Sequence, residues 1–107
     1  MTRNFPESDW KLFRQLHSIA RDRYCQTVLD DITRVAADAK ATPHERYLKI
    51  YKVIQQRDQI IGEAFNDLRR STALMRLITM HSHGLITEDE IGRFTQDTRD
   101  VISRLST

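Results

Sequence analysis

Two histidines one residue apart, His81-Ser82-His83, are of a type that could ligate a metal. On a helix such residues diverge by about 200°, so a single ion could not take both without unwinding the chain. Paired imidazoles in a last helical turn instead complement the negative end of the helix dipole, and neither a metal nor any other cofactor is expected. Cys25 follows Tyr24, with Arg21 one turn earlier. A nucleophilic thiol needs a base or a cationic pocket, and the spacing places no histidine beside it, so the reading is a buried, inert cysteine. Asp58 lies in Gln55-Gln56-Arg57-Asp58-Gln59, the longest apolar-free stretch inside a helical region. Antiparallel pairing about a turn near residue 41 sets Asp58 opposite Tyr24 and Cys25. That predicts a polar layer of Asp58 with Arg21 or the Tyr24 hydroxyl, of the kind that fixes register and oligomeric state. Lys11, Arg14 and Arg21 line one face of the first helix together with Ser18, and Arg69-Arg70 add charge further on. A solvated basic face is the plain reading. The sharper alternative is a nucleic-acid-associated helical protein that touches phosphates without reading bases.

Arg76 followed by His81 resembles the Arg-x(4–6)-His pattern of HEPN-type ribonucleases, which are also small helical proteins. The resemblance would make Arg76 and His81 a catalytic pair acting on RNA at a dimer interface. The residue after Arg76 is Leu77, where that family usually carries a polar side chain. Glycine-rich phosphate loops, paired cysteines, a Gly-x-Ser-x-Gly elbow and a His-Glu-x-x-His run are all missing, so no motif assigns an enzyme class.

The elements that must position these residues are all helical. Thr42-Pro43-His44-Glu45 and Thr87-Glu88-Asp89-Glu90 read as capping boxes, with Pro43 suited to the first helical position. Ile86 and Ile91 stand at the spacing of a hydrophobic staple, and His83-Gly84-Leu85 reads as a helix stop. These signals delimit helices at about 8–40, 43–83 and 88–105, with Ser71-Thr72 as the place where the second would break. Phe13, Leu16, Ala20, Tyr24, Val28, Ile32, Val35 and Ala39 step by three or four in the first. Tyr47, Tyr51, Ile54, Ile61, Phe65, Leu68 and Met75 keep a heptad in the second, with Asp58 and Thr72 at skipped positions.

The 107 residues make one domain, 39% hydrophobic and 30% charged, with three glycines and two prolines. That scarcity of breakers favours long helices over strands. The net charge of +2 alternates along the chain, unlike the one-sided concentration of most nucleic-acid binders. A single cysteine fits a reducing compartment. Met1-Thr2-Arg3-Asn4 leads into polar sequence with no apolar signal core, and no run spans a bilayer; the expectation is a soluble, cytoplasmic protein away from membranes.

The resulting fold class is an all-α antiparallel bundle of two long helices and one short. At ~1.5 Å per residue the third helix covers only part of the second, so one end has three helices and the other two. At the two-helix end Tyr47, Leu48, Ile50, Tyr51, Val53 and Ile54 spread over roughly 220° of the second helix, more than one neighbour can cover. The expectation is a non-enzymatic interaction module whose Tyr47–Ile54 surface binds a partner: a second copy, completing the bundle as a homodimer, or another helical protein.

Overall fold

A computed structural model describes residues 5–105; Met1–Asn4, read above for a signal core, lie outside the described residues. All regular structure among them is helical: α1 (Glu7–Ala36), α2 (Pro43–Phe65), α3 (Ala73–Ser82), α4 (Glu88–Ile91) and α5 (Gln96–Leu105), with a 3₁₀ turn at Arg70–Thr72.

The local signals act as their chemistry requires. Thr42 Oγ1 accepts from the Glu45 amide at 3.1 Å, and Glu45 Oε1 accepts from the Thr42 amide at 2.8 Å. Thr87 and Glu90 repeat the same pair of bonds with the same lengths. α3 ends in a Schellman motif. Gly84, at φ 72°, donates to the His81 carbonyl at 3.0 Å while the Leu85 amide reaches the Met80 carbonyl at 3.0 Å, and Leu85 turns into the core.

Three boundaries differ from the sequence expectation. α1 stops at Ala36 rather than near 40. There the Asp38 carboxylate accepts from the Lys40 amide at 3.1 Å, and Arg46 Nη1 takes the Ala36 carbonyl at 2.7 Å, both competing with helix continuation. The expected 43–83 helix is two helices, and it breaks at Asn66-Asp67 rather than Ser71-Thr72. Asp67 adopts a left-handed φ of 66°, and the Phe65 carbonyl bonds His17 Nε2 at 2.9 Å. The expected 88–105 helix is α4 and α5, parted by a turn over 92–95 and restarted by Asp9. This buried carboxylate accepts from the Thr95 amide at 2.9 Å, the Thr95 hydroxyl at 2.7 Å and the Thr98 hydroxyl at 2.6 Å. The expected three-helix layout is therefore a five-helix one.

The core gathers at one end of a 54 × 24 × 23 Å molecule. Phe13, Leu16 and Ala20 of α1 share it with Ala64 and Phe65 of α2, Leu77 and Met80 of α3, and Ile102 of α5. The rest of α1 and α2 extends away from this base as an antiparallel hairpin, stepped by His17 to Phe65, Asp31 to Arg57 and Ala36 to Arg46.

Candidate interaction surface

The hairpin has no core of its own. No residue from Cys25 to Glu63 is buried, although both helices are regular throughout. What holds the pair together is a half-buried row. Arg46, Ile50, Val53, Arg57 and Ile60 on α2 step by three or four, and Val28, Ile32 and Val35 do so on α1, with Asp31 beside them. Its polar contacts across the pair are Arg57 Nη2 to Asp31 Oδ2 at 2.6 Å and, next to the turn, Arg46 Nη1 to the Ala36 carbonyl at 2.7 Å. Arg57 also faces the buried Tyr24, whose phenol is pushed up first by burial, with the guanidinium opposing that shift.

The heptad residues lie beside this row, not on it. Tyr47 is 63% exposed, Tyr51 55%, Ile54 48% and Leu48 46%, while Ile50 and Val53 turn partly inward. At about 100° per residue, Tyr47, Tyr51, Ile54 and Asp58 fall within roughly 60° of one another on α2. Cys25, Leu29, Ile32 and Ala36 fall within a similar arc on α1. Ala36 lines one shallow depression together with Tyr47 and Ile50, which places the two arcs on the same side of the hairpin. The opposite side is ionic: Asp31, Arg34, Asp38, Lys49 and Arg57 line a depression there. One face of the hairpin is apolar and the other charged.

The remaining candidates are dispersed. The polar layer expected of Asp58, Tyr24 and Arg21 does not assemble within the chain. Asp58 and Arg21 are exposed, Tyr24 is buried, and the layer that exists is Arg57 with Asp31. The heptad put Asp58 on the seam, but the α1-facing row runs one residue earlier, through Arg57. Lys11, Arg14 and Arg21 are exposed along α1, and the Arg14 guanidinium lies 5.3 Å from the centre of the Trp10 ring. Cys25 is half-buried rather than buried.

Arg76 and His81 have separate occupations. Arg76 bonds the Glu63 carbonyl and stands 3.9 Å from Asp67, bracing the α2–α3 corner. His81 Nε2 meets Glu88 Oε1 at 2.9 Å, tying the end of α3 to the start of α4. His83 is exposed, and no cluster of three metal-ligating side chains occurs among the described residues. No described helix is long and apolar enough to cross a membrane.

Two buried polar anchors at the base escaped the sequence reading, Asp9 under α5 and His17 under α2. Their partners lie 86 and 48 residues away, and no local spacing announces them. Comparison with protein families, curated proteins and solved structures finds no match to this chain.

Proposed function

We propose that this chain is a non-enzymatic protein–protein interaction module that self-associates through the apolar face of its α1–α2 hairpin. The observation that carries the reading is the length of regular helix, Cys25 to Ala36 and Pro43 to Glu63, in which no side chain is buried while Tyr47, Leu48, Tyr51 and Ile54 stand about half exposed. Helices in proteins owe most of their stability to packing of an amphipathic face, and among the described residues nothing is packed on this one. A second hairpin laid on the first would turn two helices into four, giving each apolar row two neighbours.

Magnitudes set the expected affinity. Covering a half-exposed Tyr, Leu or Ile gains about 1 kcal/mol, and a symmetric dimer counts each twice. Association costs several kcal/mol in lost freedom, so the balance describes a dimer of about micromolar class rather than a permanent one.

Light scattering coupled to size exclusion, over a concentration range of about a thousandfold around that value, tests the reading. Wild type should pass from monomer to dimer, and Tyr51→Glu with Ile54→Glu should stay monomeric with unchanged helix content. Wild type that remains monomeric throughout defeats self-association.

A further inference from the structure

Two ionic side chains stand on the docking face with no ion-pair partner among the described residues: Arg21 on α1 and Asp58 on α2, both exposed. Each belongs to one of the two apolar rows. Arg21, Cys25, Leu29, Ile32 and Ala36 follow one another by four, four, three and four. Tyr47, Tyr51, Ile54 and Asp58 follow by four, three and four. In each row the charge comes at the end nearest the base. The cross-helix contacts Ala36–Arg46 and His17–Phe65 set the two helices so that Arg21 and Asp58 stand within about one helical turn of the same level.

A two-fold pairing of these faces has two simple forms. With the axis across the hairpin, α1 of one copy lies on α1 of the other. With the axis along the hairpin, α1 of each copy lies on α2 of the other, and residues at equal levels meet.

Charge separates the two. Asp31, Arg34, Asp38, Lys49 and Arg57 lie on the far side of the hairpin, so the charges that decide are the two on the docking face, Arg21 and Asp58. The first form runs each row against itself, leaving Arg21 facing the Ala36 end and Asp58 the Tyr47 end. The second brings Arg21 to the level of an opposite Asp58 carboxylate twice.

We propose that the occupant of the apolar face is a second copy of this chain, docked with its two-fold axis along the hairpin, and that Arg21 pairs with the partner's Asp58 to fix register. The inference rests on the self-association proposed above and specifies its geometry. Apolar rows slide past one another at little cost. A charge at one end of each row does not, because a one-turn slip leaves four ions facing side chains that cannot pair with them.

A charge-swap series read by the same light-scattering titration tests the geometry. Arg21→Asp and Asp58→Arg should each raise the dissociation constant about tenfold, because two attractive contacts become repulsive. The double variant should return to within about threefold of wild type, since the exchanged charges attract again. Both positions are exposed, so helix content should be unchanged in all three. If wild type dimerises and the double variant is as weak as the two singles together, the Arg21–Asp58 pairing is wrong while self-association stands. If wild type is monomeric throughout, both readings fall.

Discussion

Arg23 and Glu90 form a two-pronged ion pair, Nη1 to Oε1 at 2.7 Å and Nη2 to Oε2 at 2.8 Å, and Nη1 also takes the Leu85 carbonyl at 2.9 Å. Glu90 is at the same time the capping-box glutamate of α4. One carboxylate thus starts a helix and ties the 85–91 segment to the middle of α1. The guanidinium, followed by the Thr87 amide, holds its pKa down at about 2 against the ordinary 4.5.

A depressed acid contributes stability above its unfolded pKa and loses it as pH falls through its folded one. The contribution of Glu90 should therefore be complete above pH 4.5 and vanish toward pH 2. Because Arg23 is 38% exposed, solvent screening reduces the full linkage value, leaving about 2 kcal/mol. Glu90→Gln should lower stability by that amount at pH 7 in urea unfolding. The gap from wild type should close between pH 4.5 and 2. A gap independent of pH would mean that the ion pair contributes nothing.

Asp9 is 1% exposed and satisfies three donors around the first turn of α5. Asp9→Ala removes the acceptor and strands the Thr95 amide and two hydroxyls in the interior. The expected cost is about 3 kcal/mol, above the range of a lost surface contact. Amide exchange should locate the damage: protection should fall over 96–105 and hold over α2. Uniform loss across both would assign Asp9 to global packing and not to α5.

Helix starts were legible because a capping box is complete within four residues, as at Thr42–Glu45 and Thr87–Glu90. Helix ends forced from a distance were not. Nothing near Phe65 foretells that His17 will take its carbonyl, and nothing near Thr95 foretells Asp9. The heptad misled for the same reason. Its continuation through Leu68 and Met75 presumes an unbroken helix, and after the Asp67 turn both residues are exposed, at 48% and 66%. Before the break it was the roughly 220° apolar spread of Tyr47, Leu48, Ile50, Tyr51, Val53 and Ile54, not the heptad, that marked surface in excess of one neighbour, since apolar width on a wheel depends on local sequence alone. Which neighbour covers the surface does not.

Cys25 offers a readout of the hairpin face that needs no substitution. It is the single cysteine, half-buried, in the α1 row with Leu29 and Ile32. If a second copy covers that row, the rate of modification by a thiol reagent should fall as protein concentration rises through the dimerisation midpoint. In the Tyr51→Glu, Ile54→Glu variant the rate should stay flat at the wild-type dilute value. A concentration-independent rate in a protein that does dimerise would move the interface off the Cys25 row.

Arg76 and His81 should behave as two unrelated structural residues. Arg76 is 29% exposed and braces the corner between α2 and α3 through the Glu63 carbonyl and Asp67. Arg76→Ala should therefore cost about 1 kcal/mol, the value of a partly buried charged hydrogen bond. His81 pairs with Glu88, which is 84% exposed, and such a pair at a wet helix end contributes about 0.5 kcal/mol or less. Urea unfolding of the two alanine variants should show this inequality, and their double variant should be additive, because the two side chains share no partner. A catalytic pair would give another pattern: RNA cleavage by wild type, abolished to the same extent in either variant while both stay folded. Finding that pattern would replace the interaction reading with the ribonuclease one.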